Sequence, residues 1–172
     1  LVWDQVVVSS NPTAPTNFPC SVQRTEPSLV THSRLGEFGS NGFDAAVTVN
    51  GGILDIGAFS DTVGAVTLSS GSITGTTGVL TGTSYALTNT GSISAILAGA
   101  VNLTKTGAGT QILSGTNVSG GAITVSQGKL LINGSTGSGA VSVADGAALG
   151  GDGTVGGAVT FAQGAIFAWN LS

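Results

Sequence analysis

Charged side chains are scarce in this 172-residue chain. Four basic residues (Arg24, Arg34, Lys105 and Lys129) stand against eight acidic ones, for a net charge of -4. Binding to a nucleic-acid backbone needs a clustered Lys/Arg footprint, so that class of partner is excluded. Cysteine occurs once, at Cys20, which leaves no internal disulfide and no thiolate metal cluster. Cys20 reads as a small hydrophobe, with a link to a second chain as the other reading. No apolar run reaches the length of a membrane span, so none is expected in this chain. The N-terminus also lacks a basic stretch followed by an apolar one, so a secreted form would be a processed chain or a fragment.

What is abundant is glycine, at 29 residues, in a background of Ser, Thr, Val and Ala that is 41% hydrophobic overall. Disordered chains are poor in apolar residues, whereas here Val, Ile and Leu recur at regular intervals, which implies an ordered β protein. The chain changes character near residue 45. All four prolines (Pro12, Pro15, Pro19, Pro27) and the single histidine lie before it, while all glycines except Gly36, Gly39 and Gly42 lie after it. Residues 1–44 therefore read as a strand, "LVWDQVVVSS", followed by a proline-rich extended segment that serves as cap, linker or subunit-joining arm. Residues 45–172 form the second region.

That second region is repetitive. "GAITVSQG", "GAVSVADG" and "GAVTFAQG" begin at Gly121, Gly139 and Gly157, with further copies from Ala45 and Gly64 and weaker ones near Thr83 and Gly99. The steps between copies are 19, 19, 16, 22, 18 and 18 residues. A pitch near twenty means stacked rungs. Alternation within each copy places Val47 and Val49, Val66 and Leu68, Tyr85 and Leu87, Val101 and Leu103, Ile123 and Val125, Val141 and Val143, and Val159 and Phe161 on the core side. Thr48, Thr67, Ala86, Asn102, Thr124, Ser142 and Thr160 then face outward. Glycine-rich corners follow, and beyond them lie further apolar residues such as Leu54, Ile56, Ile73, Leu130, Ile132, Leu149 and Ile166.

Two or three short strands per copy, joined by such corners, describe one coil of a parallel β-helix. A single coil cannot bury its own side chains, but coils stacked about 4.8 Å apart pair every strand and place like residue on like. The expected fold is thus all-β, a β-solenoid of about seven coils with an irregular N-terminal segment.

The stretch from Leu103 to Leu130, "LTKTGAGTQILSGTNVSGGAITVSQGKL", resembles the autotransporter-associated β-strand repeat, also called the passenger-associated transport repeat. The likeness is carried by Leu103, Lys105, Gly107, Gly109, Leu113, Ser114, Gly115, Asn117, Gly120, Gly121, Thr124, Val125, Gly128 and Leu130, and it extends over about residues 99–168. Gln111 stands where that family carries an apolar residue, and Val118-Ser119 where it carries an aromatic. The resemblance implies a right-handed β-helix, secreted or exposed on the cell surface of a Gram-negative bacterium, and part of a longer passenger.

No catalytic, metal or cofactor residues are nominated. The carboxylates of Asp4, Glu26, Glu37, Asp44, Asp55, Asp61, Asp145 and Asp152 are scattered rather than gathered on one face, and they read as turn residues. His32, beside Arg34 and Glu37, has only Ser28 and Ser33 as neighbouring hydroxyls, a coincidence in a serine-rich chain. "GAGT", "GGDGTVGG" and "GSTGSG" lack the Lys and following helix of a phosphate cradle and read as corners. The threonine column could suggest ice binding, but it is single file and interrupted at Ala86 and Asn102. Asn102, Asn117, Asn133 and Asn170 fit the N-glycosylation pattern by chance in so Ser/Thr-rich a chain.

The ends carry the sharpest expectation. An uncovered coil exposes a strand edge that recruits other strands. The C-terminal "GAVTFAQGAIFAWNLS" stops within an apolar strand without a cap, whereas "LVWDQVVV" is a strand-like segment at the other end. Val2, Trp3, Val6 and Val8 are therefore expected to meet Phe161, Ile166, Phe167 and Trp169 of a neighbouring copy, building a head-to-tail homopolymer by strand addition. The leading reading is a structural, non-enzymatic extracellular subunit of a filament or surface layer. The alternative is an adhesin or autotransporter passenger stalk that binds glycans or cell surfaces.

Overall fold

The computed structural model describes residues 20–23, 29–31 and 46–168. Among them every regular element is a strand, and every ladder is parallel. The strands are β1 (Cys20–Gln23), β2 (Leu29–Thr31), β3 (Val47–Asp55), β4 (Asp61–Thr62), β5 (Ala65–Thr74), β6 (Val79–Thr81), β7 (Ser84–Leu87), β8 (Gly91–Ile93) and β9 (Ile96–Ala98). They continue as β10 (Leu103–Lys105), β11 (Thr110–Leu113), β12 (Ile123–Val125), β13 (Lys129–Ile132), β14 (Val141–Val143), β15 (Ala148–Gly150), β16 (Val159–Phe161) and β17 (Ile166–Ala168). The chain winds as a β-solenoid of about six turns, so the expected all-β coil architecture is the one observed.

Each turn has three faces. The first is the run β3, β5, β7, β10, β12, β14, β16, and the second is the run β3, β5, β8, β11, β13, β15, β17. The two runs share β3 and β5, which pass through the corner without a break. The third face is the short sheet β4, β6, β9, continued by single bridges from Thr116 to Ser135 and from Ser135 to Thr154. At the N-terminal end β1 pairs with the first half of β3 and β2 with its second half, Cys20 opposite Val47 and Leu29 opposite Ile53. Part of the segment before residue 45 thus lies in register on the first turn.

The corner within β5 depends on glycine. Gly71 has φ +89°, and a Cβ there would run into the carbonyl of Gly52 in the turn before, itself at φ +73°. Only a residue without a side chain lets two turns approach this closely with that backbone.

Inside, like stacks on like. Val47, Val66, Tyr85, Leu103, Ile123 and Val141 follow one another in register along the first face, as do Leu54, Ile73, Ile93, Leu113 and Ile132 along the second. All of these side chains are buried. Burial of each Val, Leu or Ile stabilises by about 1.5–3 kcal/mol relative to exposure, and a turn acquires that only when another turn lies against it.

One stretch of the expected register is corrected. Leu103, not Val101, pairs with Tyr85 and Ile123, so the inward pair of this turn is Leu103 and Lys105, and the outward residue between them is Thr104 rather than Asn102. The apparent steps of 16 and 22 residues came from reading the copy at Gly99 two residues too early. Corners differ in length from turn to turn, so the phrase start is a poor ruler for the strand that follows. With the shift, Thr48, Thr67, Ala86, Thr104, Thr124, Ser142 and Thr160 form one outward column, interrupted only at Ala86.

Candidate functional site

Of the seven large apolar side chains exposed among the described residues, four lie on the last two strands. Val159 and Phe161 continue the columns of Val141 and Val143, while Ile166 and Phe167 lie over Ala148 and Leu149. In the inner turn these positions are 0%, 2%, 6% and 3% exposed; in the outer turn they are 39%, 39%, 52% and 55% exposed. The alternation that makes Val159, Phe161 and Phe167 core-facing is the same in both turns, whereas Ile166 continues the outward position held by Lys129 and Ala148 in the turns before. What differs is that, among the described residues, no strand pairs with the far side of β16 or β17.

The two phenylalanines organise this surface. Their rings meet edge to face across the corner, with centroids 6.0 Å apart and planes at 89°, a favourable arrangement for aromatic quadrupoles. The corner itself holds Gly164 at φ +82°, which lets β16 turn sharply into β17. Of the expected interface residues, Phe161, Ile166 and Phe167 are thus brought together on one end. Val2, Trp3, Val6, Val8 and Trp169 lie outside the described residues, as do His32, Arg34 and Glu37.

The interior holds polar groups that the alternation pattern did not reveal. Lys105 is fully buried, and its ammonium donates to the carbonyls of Thr106 and Gly107, both at 2.7 Å, and of Gln127 at 3.2 Å. Burial pulls it below the ordinary lysine value of 10.5. Gln111 is also fully buried, in register with Gly91 on one side and Leu130 on the other, and neither its Oε1 nor its Nε2 has a hydrogen-bond partner in the protein. Asn117 accepts from the Leu97 N–H at 2.9 Å through Oδ1, while its Nδ2 has no partner.

Tyr85 is better satisfied. Its hydroxyl accepts from the Gly82 N–H at 2.8 Å and has the carbonyls of Leu80 and Ala98 each at 2.7 Å for its one proton. Burial raises the phenol above 10.0, and the bonds to Gly82 and Ala98 oppose that rise. The ring thereby ties the start of one turn to the third face of its own turn and the one before.

One carboxylate serves a corner, while Asp61 lies buried in strand β4. Asp55 accepts from the Gly57 N–H at 2.9 Å, an Asx turn. Among the described residues no three of His, Cys, Asp and Glu gather in a group that could hold a metal ion, and no helix is long and apolar enough to cross a membrane. The outward threonine column is flanked by Ala65, Ala122, Ala140 and Ala158 in their turns, so its hydroxyls stand in single file on that side.

No protein-family model matches the chain, and no curated protein or solved structure matches it either.

Proposed function

We propose that this chain is a structural subunit of an extracellular or cell-surface filament or layer, joined end to end by strand addition at the β16–β17 turn. The observation that carries this reading is the continuity of the inward columns into Val159, Phe161 and Phe167, which are spaced and patterned to receive another turn, with Ile166 on the outward side of the same edge. A second copy supplies that turn and buries the apolar surface while pairing the strand edges, the two driving forces of β-augmentation. The near absence of charge on the stacked faces favours close approach of identical subunits. The reading is non-enzymatic, and the carboxylate of Asp55 serves a turn in keeping with it.

A second reading has its own support. β1 and β2 continue the coil pairing at the opposite end, which suits a segment of a longer passenger stalk or adhesin that presents a surface to glycans. Negative-stain electron microscopy of the purified chain over a range of concentrations separates the two. Filaments that lengthen with concentration support the polymer, whereas short rods of one length at every concentration overturn it.

A further inference from the structure

The turn formed by residues 103–118 differs from its neighbours in a way that no repeat phrase displays. It alone among the described turns places a buried polar side chain on each of its three faces: Lys105 on the first, Gln111 on the second and Asn117 on the third. Toward the preceding turn, apolar side chain meets apolar side chain only where Leu103 follows Tyr85 and where Leu113 follows Ile93. Elsewhere in that interface Lys105 follows Leu87, Gln111 lies against Gly91, which offers no side chain, and Asn117 reaches back to the Leu97 amide. One turn earlier the columns of Leu103, Lys105 and Leu113 are apolar throughout, with Tyr85 on Val66, Leu87 on Leu68 and Ile93 on Ile73, and the column of Gln111 sets Gly91 on Gly71.

In a solenoid each turn is held only by the turns beside it, so stability is a sum of nearest-neighbour interfaces. An interface that loses apolar area and encloses unpaired amide groups is the weakest member of that sum. We infer that the 103–118 turn is a parting plane of the rod, a built-in place where the solenoid opens between an N-terminal and a C-terminal stack before either stack unfolds. The amide atoms of Gln111 and the Nδ2 of Asn117 gain water when the plane opens, and fewer apolar side chains stand in register there than at the interface one turn earlier. The plane does not depend on how the ends are covered.

Hydrogen–deuterium exchange of the whole chain, read by mass spectrometry under native conditions, tests this directly. A rod that only frays from its ends is most protected in the middle. The parting plane requires the reverse: amides of β10 and β11 exchange about tenfold or more faster than those of β5, although they lie nearer the centre. The Gln111→Leu variant, which restores the column of Leu130 and Leu149, is expected to slow that exchange about tenfold and leave β5 unchanged. Protection that peaks at β10 and β11 in the wild-type chain overturns the inference, and that readout stands even if the variant fails to fold. Equal exchange in wild type and a folded Gln111→Leu variant overturns it as well.

Discussion

Phe161 and Phe167 face each other across the last corner, edge to face at 6.0 Å, although each belongs to a different sheet face and both remain about half exposed. A pair of this kind inside the rod would be covered by the next turn. Under the proposed end-to-end association, this exposed pair is the surface on which the next copy packs. Replacing either by aspartate places a charge where another turn must pack, and desolvating that charge is costly. Phe161→Asp and Phe167→Asp are expected to abolish concentration-dependent assembly in sedimentation velocity while leaving the β-rich circular dichroism spectrum of the chain unchanged. Persistent assembly of both variants would remove this end from the interface.

Gly71 and Gly57 allow a test of the corners. Both have positive φ, but a Cβ at Gly71 collides with the Gly52 carbonyl, whereas one at Gly57 meets nothing within 4 Å. Gly57→Ala therefore pays only the left-handed conformation, about 1 kcal/mol. Gly71→Ala adds a clash that the turn before must yield to, and it is expected to cost about 3 kcal/mol or more. Urea midpoints of the two variants check the difference, and equal losses would contradict the close approach of the two turns.

Tyr85 makes its hydroxyl a junction between one N–H and two carbonyls. Tyr85→Phe keeps the ring in its column and leaves the buried Gly82 N–H without that acceptor. The expected loss is about 1–3 kcal/mol, the cost of an unsatisfied buried group. A loss below a few tenths would mean that water takes the place of the hydroxyl at that corner.

The extent to which the sequence foretold this fold follows from what alternation can and cannot encode. Val47 and Val49, Ile123 and Val125, and Val141 and Val143 were legible because apolar residues two apart, repeated at a steady pitch, leave little choice of facing. The third face left a fainter trace, since much of it consists of isolated bridges at Thr116, Ser135 and Thr154, too short for any period to register. Lys105, Gln111 and Asn117 were hidden for a deeper reason: a polar residue in an inward column violates the rule by which inward columns are found. Lys105 was further obscured because Val101 and Leu103 satisfied the alternation equally well, and only pairing with Tyr85 and Ile123 distinguishes the two registers. The apolar character of Phe161 and Phe167 was plain in the sequence, but their exposure is a property of the stack rather than of any strand.

Lys105 gives the final expectation its sign. Burial holds its folded-state value below the 10.5 of the unfolded chain, so between those two values the unfolded state binds more protons than the folded one. Stability then rises with pH across that window. Below the folded value the cost of enclosing the charge is fully present, lessened by the three carbonyls that receive the ammonium; above 10.5 neither state carries it. Tyr85 works in the opposite direction, because its raised value means that the folded state keeps a proton the unfolded state sheds, and stability falls as pH climbs above 10.0. The two contributions overlap in alkaline solution and must be separated by substitution. Lys105→Met retains a long apolar stem against Leu87 and Val125 but has no proton to release. Urea midpoints measured from neutral pH upward are expected to show the wild-type chain gaining stability relative to Lys105→Met as pH approaches 10, with the gain absent when Lys105→Met is compared with the double variant Lys105→Met/Tyr85→Phe. A constant difference between wild type and Lys105→Met at every pH would show that the three carbonyls offset the burial of the charge in full.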